Sequence, residues 1–323
     1  MKIAIVGAGA IGAFLGAKLA LSGEDVYLIA RGPHLKAMQA NGVQVRSPEG
    51  NFKAHPTATH DYESIGPVEY VFLTVKAHSL TVIAPSLAPL LGPDTAVVSA
   101  QNGIPWWYFM GHGGPFDGSS IESVDPGGVI AQAIDSSRVI GCVVYPSTVI
   151  VEPGVIEHIE GNRFSIGELG GTSSERCKRL AASLIGAGLR APIRGHIRHD
   201  MWIKLLGNVV FNPMSALTGA TLVEMATHPE SSDIVRAVMA EADAVAEGLG
   251  VRLSLTIDQR MDGARKVGAH KTSMLQDLEA GRPMELESVV GVVIELGEKL
   301  GLPMPHTRTL YSCARLLDQV RTQ

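Results

Sequence analysis

The chain opens with MKIAIVGAGAIG, residues 1–12, and this stretch decides the fold. Lys2–Val6 is a short apolar run that predicts a buried strand, and the apolar spacing over Ile11–Leu21 predicts a helix. The intervening Gly-x-Gly-x-x-Gly turn comprises Gly7, Ala8, Gly9, Ala10, Ile11 and Gly12. Such a motif is weak alone, but here a strand precedes it, a helix follows it, and a second strand is predicted at Asp25–Ile29. The segment therefore predicts a dinucleotide site, with phosphates bound at the helix N-terminus.

The first two hundred residues continue to alternate strand and helix signals. They predict strands at Tyr70–Thr74, Ala96–Ala100, Val139–Tyr145, Val149–Ile159 and Arg163–Ile166, with helices at Leu80–Leu91 and after Ser173. This alternation is typical of a parallel, doubly wound sheet. Residues 103–137 interrupt it with a glycine-rich, aromatic excursion that we expect to be ordered.

Beyond His196 the strand signals stop. Helices are predicted at Met201–Leu217, Ser231–Gly248, Glu285–Leu300 and Thr307–Val320. The sequence thus predicts an α/β protein with an N-terminal Rossmann domain, residues 1–195, and a C-terminal all-α domain, residues 196–323.

Composition excludes several functional classes. The 323 residues carry a formal charge of −5 without long runs of one sign, so we expect no nucleic-acid partner. No apolar stretch is long enough for a membrane span. The three cysteines, Cys142, Cys177 and Cys313, form no CxxC pair, and no HExxH accompanies the histidines. We therefore expect a cytoplasmic protein without disulfides or a metal.

The end of the second strand indicates which cofactor is used. An NAD site would have an acidic residue there, but this chain has Ala30-Arg31-Gly32, and Asp25 lies at the start of the strand. A guanidinium suits a 2′-phosphate, so NADPH is favoured over NADH; the alternative is that Arg31 is an ordinary solvated residue. Lys76 and Asn102 follow two further strands, although each alone could be surface charge or turn chemistry.

A second candidate site lies in the apolar stretch after His199. Lys204, Asn208 and Asn212 are spaced four residues apart, so at about 100° per residue they share one helix face. A helix this apolar must be buried, and a buried ammonium is costly without partners. The pattern predicts a polar cavity into which Lys204 points. Desolvation lowers the pKa of a lysine, which makes it a better acid near neutral pH.

The chain resembles the ketopantoate reductase (2-dehydropantoate 2-reductase) family over nearly its whole length. The blocks that carry the resemblance are GAGAIG at 7–12, VKA at 75–77, QNG at 101–103, WIKLLGNVVFNP at 202–213, TSMLQD at 272–277 and MELES at 284–288. Their order and spacing are far more specific than the glycine motif. The resemblance implies a Rossmann domain joined to a helical domain, with the active site in the cleft between them.

Position by position, the resemblance implies roles for individual residues. It makes Lys204 the proton donor, Asn208 and Asn212 substrate ligands, and Ser273 a contact of the substrate carboxylate. It makes Arg31 and Lys76 contacts of NADPH and places Asn102 between the nicotinamide and the substrate. It also implies that Glu285 orders Lys204 and the bound cofactor–substrate pair.

Two of these roles have plainer alternatives. Glu285 could simply interact with a helix dipole after Pro283, and Ser273 could cap a helix together with Thr272.

The resemblance predicts NADPH-dependent reduction of 2-dehydropantoate to (R)-pantoate, for pantothenate and coenzyme A synthesis. Two departures leave the exact 2-oxo acid open: the excursion at 106–128 is longer than in compact members, and Ser215–Leu222 lacks a further asparagine. The excursion could cover the cleft or form a homodimer surface. The alternatives are a reductase of another branched 2-oxo acid, a β-hydroxyacid or opine-type dehydrogenase, and a non-catalytic NADPH sensor.

Overall fold

The computed structural model describes residues 1–322 and divides the chain into two compact units. The first unit contains Met1–Gln101, Pro105–Ser120 and Asp125–Ile197. The second contains the chain from Arg198 onward together with two short segments, Asn102–Ile104 and Ile121–Val124. The excursion therefore contributes residues to both units.

The first unit is built on a seven-stranded sheet with the strand order β11-β8-β7-β6-β1-β2-β5. The strands of the chain are β1 Lys2–Val6, β2 Asp25–Ile29, β3 Val43–Arg46, β4 Phe52–Ala54, β5 Thr57–Thr59, β6 Val68–Leu73, β7 Leu91–Ser99, β8 Val139–Val144, β9 Ser147–Glu152, β10 Val155–Glu160 and β11 Phe164–Glu168. All neighbours in this sheet are parallel except β8 and β11. The predicted α/β fold class is confirmed, and β1 lies between β6 and β2 inside the sheet.

The helices of this unit are α1 Ala10–Leu21, α2 Gly32–Asn41, α3 Ala77–Ile83, α4 Val129–Ala133 and α5 Glu175–Gly186. The helix predicted at Leu80–Leu91 is wrong in its second half. The chain turns into a 3₁₀ segment at Ala84–Leu90, and Leu91 begins β7. Prolines at positions 85 and 89 explain the change, because proline cannot donate the helical hydrogen bond.

A second sheet, which the sequence did not predict, has the order β4-β3-β10-β9. The single strand expected over Val149–Ile159 is wrong: it is two antiparallel strands, β9 and β10. Pro153 and Gly154 separate them, and Gly154 takes φ +81, a conformation that favours glycine. β10 also pairs with β3 in parallel, so this sheet joins segments more than a hundred residues apart in sequence.

The described part of the second unit contains helices and no strands. They are α6 Ile197–Thr218, α7 Leu222–Thr227, α8 Pro229–Gly248, α9 Ile257–Val267, α10 Ser273–Glu279, α11 Val292–Lys299 and α12 Pro305–Thr322, with a π-helical turn at Glu287–Gly291 directly before α11. The all-α prediction is confirmed, although α7, α9 and α10 were not predicted. Within residues 1–322, no helix is both long and apolar enough to cross a membrane.

Candidate active site

The glycine turn joins β1 to α1 and is held by the neighbouring strands. The amides of Gly7 and Ala8 both donate to the Ile29 carbonyl, at 3.1 and 2.9 Å. Gly7 has φ +96, and a Cβ there would lie 2.5 Å from Val75 Cγ1. A Cβ at Gly12 would lie 2.4 Å from the Gly7 carbonyl oxygen. These two glycines are therefore required by the packing of the protein itself.

Gly9 differs from both. A Cβ at Gly9 would meet nothing nearer than the Gly7 carbonyl at 3.9 Å, and the backbone angles, φ −73 and ψ −155, suit any residue. Gly9 is also the N-cap of α1, where no side chain caps the first-turn amides. Uncapped amides at a helix N-terminus bind anions readily. The turn thus leaves room and donors for a pyrophosphate, which is the fit that a dinucleotide requires.

Arg31 and Lys76 follow the ends of β2 and β6. Arg31 is exposed and precedes α2, and among residues 1–322 its guanidinium forms no ion pair. Burial raises the pKa of Tyr62, and the Arg31 charge works against that rise, which places the guanidinium near this tyrosine. Lys76 is half-buried at the N-cap position of α3. Both cations lie at the carboxyl ends of parallel strands, on the same edge as the glycine turn.

The predicted polar face of α6 lies in the second unit. The helix is mostly buried, as its composition predicts, and Trp202, Val209 and Val210 are fully inaccessible. Lys204 is an exception: it was expected to be buried but keeps partial exposure. Its ammonium donates to Asn102 Oδ1 at 2.7 Å, and so reaches a polar group that the short segment Asn102–Ile104 carries into this unit.

Asn102 connects Lys204 to Glu285. Its Nδ2 makes a long contact of 3.5 Å with Glu285 Oε2. Glu285 is 7% exposed and lies just before the π-helical turn. The Asn102 amide thus has the nearly buried Glu285 carboxylate at one end and the Lys204 ammonium at the other. The structure thus brings together three of the predicted residues from three separate parts of the sequence.

The other two asparagines of the face have side chains without partners. Asn208 is half-buried and Asn212 is 5% exposed. Neither side-chain amide hydrogen bonds to another group among residues 1–322. A buried amide that lacks a partner loses stabilising hydrogen bonds, so such groups usually face a ligand or water. Together with Lys204 they offer donors and acceptors along one helix face.

Ser273 lies at the first position of α10, and its side chain is exposed. The helix is capped by Thr272 instead, whose Oγ1 accepts from the Leu275 amide at 3.2 Å. Thr272 Oγ1 also contacts Ser215 Oγ at 2.5 Å, and Ser215 donates to the Asn212 carbonyl at 2.9 Å. The Thr272-Ser273 pair does cap a helix, as the plainer alternative held, but the capping side chain is that of Thr272, and the cap does not use the Ser273 hydroxyl. The hydrogen bonds from Thr272 to Ser215 and from Ser215 to Asn212 fix the start of α10 relative to Asn212.

Sequence reasoning missed Thr74. Its Oγ1 donates to the Gly7 carbonyl at 2.8 Å. A Cβ added at Gly12 would lie only 2.6 Å from this Oγ1. Its position directly after β6 could have revealed it, because polar residues at strand ends were considered for Lys76 but not for Thr74. Within residues 1–322, no three His, Cys, Asp or Glu side chains are grouped so that they could hold a metal ion.

A dinucleotide-type sheet in one unit, and a lysine with unpartnered amides on a helix of the other, define the class of dinucleotide-dependent oxidoreductases. Comparison with known proteins narrows this class. The family models "Ketopantoate reductase PanE/ApbA" and "Ketopantoate reductase PanE/ApbA C terminal" match residues 3–171 and 196–318. The chain belongs to the ketopantoate reductase family.

Individual relatives agree along the whole length. The chain is 49% identical over 318 residues to a 2-dehydropantoate 2-reductase of Mesorhizobium japonicum, covering 98% of each protein. A solved structure from Ralstonia solanacearum, provisionally assigned as a ketopantoate reductase, has a TM-score of 0.94 at 42% identity, covering 99% of this chain and 98% of the other. The 2-dehydropantoate 2-reductase of Geobacter metallireducens has a TM-score of 0.86 at 28% identity, covering 98% and 99%.

Proposed function

We propose that this enzyme reduces 2-dehydropantoate to (R)-pantoate with NADPH, a step toward pantothenate and coenzyme A. The full-length likeness to a protein named 2-dehydropantoate 2-reductase supports the substrate. The single observation that carries the mechanism is the 2.7 Å hydrogen bond from Lys204 to Asn102, on the helix face that also bears the unpartnered amides of Asn208 and Asn212.

The cofactor fits the residues of the first unit. Gly9 leaves space for the pyrophosphate, and the first-turn amides of α1 face it without a competing cap. Arg31, which has no ion pair among residues 1–322, carries the charge that a 2′-phosphate needs, and Lys76 adds a second cation near the phosphates. When bound, the nicotinamide supplies a hydride.

Lys204 is the proton donor in this proposal. As C2 of the substrate accepts the hydride, the π-electron pair of the carbonyl moves to oxygen, and the ammonium of Lys204 protonates that oxygen to give the hydroxyl. Asn102 accepts a hydrogen bond from the same ammonium and so fixes where it points. Since Lys204 keeps partial exposure, solvent can return the proton after each turnover.

The remaining side chains bind and orient the substrate. Asn208 and Asn212 hydrogen bond to its oxygens, which gives both amides the partners they lack in the protein. The exposed hydroxyl of Ser273 contacts the carboxylate. Glu285 acts through Asn102, because its carboxylate accepts from the other end of that amide and sets which end faces Lys204.

The test is steady-state turnover with 2-dehydropantoate and either NADPH or NADH, followed by nicotinamide absorbance. We expect turnover with NADPH and a kcat/KM at least about tenfold lower with NADH, since one lost charge-assisted contact is of that size. Faster reduction of another branched 2-oxo acid would replace the proposed substrate. Tight NADPH binding without oxidation by any 2-oxo acid would show a sensor instead of a reductase.

A further inference from the structure

We infer that Gly103 is a positioning residue for the reaction: its missing side chain lets the Asn102–Ile104 segment lie against the Ser288 carbonyl, and this contact places Asn102 between Lys204 and Glu285. We call Gly103, Ile104 and Ser288 the Gly103 seat. The inference rests on the proposed function, in which Lys204 is the proton donor.

The Gly103 seat is a close backbone-to-backbone contact. Gly103 has φ +83, and an ideal Cβ on it would lie 1.8 Å from the Ser288 carbonyl oxygen and 2.5 Å from the Ser288 carbonyl carbon. Both of these atoms are backbone, so neither can rotate away as a flexible side chain could. The Ile104 amide donates to the same carbonyl oxygen at 3.0 Å. Ser288 is 3% exposed, so water does not compete for this contact.

The seat fixes Asn102 relative to Glu285. Ser288 belongs to the π-helical turn Glu287–Gly291, and Glu285 lies three residues before it on the same stretch. Wide turns of this kind are frequent at functional sites. Because Asn102 directly precedes Gly103, the contact with Ser288 holds its backbone at a set distance from the Glu285 carboxylate.

Lys204 then depends on that placement. The Asn102 amide has one acceptor end and one donor end, and the structure uses both: Oδ1 accepts from Lys204 at 2.7 Å and Nδ2 contacts Glu285 at 3.5 Å. A shift of the Asn102 backbone by about 1 Å would break the first contact, and misplacement of that size near reacting groups can cost about a hundredfold in rate.

Gly111 provides a matched control in the same excursion. It also has positive φ, +63, but a Cβ there would meet nothing within 4 Å. Gly111→Ala therefore introduces the backbone strain of an alanine in the left-handed region without a steric clash. Gly103→Ala introduces the same strain together with the clash against Ser288. The difference between the two variants isolates the seat.

The experiment measures kcat, KM for 2-dehydropantoate and the NADPH dissociation constant in four variants: Gly103→Ala, Gly111→Ala, Asn102→Ala and the double variant Asn102→Ala/Gly103→Ala. The folded fraction comes from thermal unfolding, and kcat is normalised to it. We expect Gly103→Ala to lower kcat at least about tenfold, with Gly111→Ala within about twofold of wild type. In the Asn102→Ala background, adding Gly103→Ala should change kcat by less than about threefold, because the residue through which it acts is already gone.

Three results would overturn the inference. They are equal kcat values for Gly103→Ala and Gly111→Ala, independent multiplication of the two losses in the double variant, and near-normal kcat for Asn102→Ala. Near-normal kcat for Asn102→Ala would overturn the inference even if Gly103→Ala does not fold. Failure of the proposed function looks different, since the wild-type protein itself would then reduce no 2-oxo acid with NADPH.

Discussion

Replacing Gly9 and Gly12 separately by alanine distinguishes a glycine kept for a ligand from one kept for the fold. A Cβ at Gly12 would lie 2.4 Å from the Gly7 carbonyl oxygen, about 1 Å inside ordinary contact, which starts near 3.4 Å. The backbone of the turn must therefore move. Overpacking of this kind costs about 1–3 kcal/mol, and each kcal/mol lowers Tm by roughly 2–4 °C in a chain of this size. Gly12→Ala should lower Tm by about 2–12 °C.

Gly9→Ala should behave in the opposite way. The nearest atom to its Cβ would be 3.9 Å away, and the backbone angles suit alanine, so we expect a loss of stability below about 1 kcal/mol, the usual cost of alanine at an N-cap. The added methyl occupies the space proposed for the pyrophosphate. We expect the NADPH dissociation constant to rise at least tenfold, about 1.4 kcal/mol.

Thermal unfolding and a fluorescence titration with NADPH measure the two effects on the same preparations. The expected pattern is a stable Gly9→Ala that binds poorly and a destabilised Gly12→Ala. Wild-type NADPH affinity in a folded Gly9→Ala would refute the assignment of this turn as the phosphate site. Equal destabilisation of both variants would refute the packing argument.

Three further predictions concern residues away from the turn. Arg31→Gln should weaken NADPH at least about tenfold while changing NADH little, because only NADPH carries the 2′-phosphate; equal losses would contradict the Arg31 assignment. Asn212→Ala should raise KM for 2-dehydropantoate at least about tenfold with Tm nearly unchanged, since its amide has no partner among residues 1–322; an unchanged KM would remove it from the site. Burial raises the pKa of Glu168, but hydrogen bonds from Arg176 and Ser174 and the Arg176 charge outweigh burial and hold the pKa below its usual value. This contribution to stability is full above that value and is lost as the pH falls through the folded-state pKa. Glu168→Gln should therefore be less stable than wild type by about 2 kcal/mol at neutral pH, with a gap that narrows in acid, as denaturant unfolding at several pH values would show; a constant gap would contradict it.

The sequence predicted well where the signal is local. β1 and β2 have the predicted bounds, because each is a short apolar run ended by glycine or a charged turn. The face of α6 could be predicted because the helical period alone puts Lys204, Asn208 and Asn212 on one side.

What could not be predicted depends on distant pairing. The second sheet joins β3 to β10 across more than a hundred residues, and its strands are too short to show a pattern. Asn102 was expected at the edge of the sheet, and nothing in QNG signals that residues 102–104 cluster with the helical unit. The partial exposure of Lys204 could not be predicted either, because helical periodicity shows which residues share a face but not what covers that face.

The central claim is that Lys204 protonates the substrate oxygen, and single-turnover and steady-state kinetics of Lys204→Ala test it most directly. We expect kcat to fall at least about a hundredfold, the usual scale of general acid catalysis, while the NADPH dissociation constant and Tm stay near the wild-type values. Turnover within a few-fold of wild type in a folded, NADPH-binding Lys204→Ala would contradict the claim.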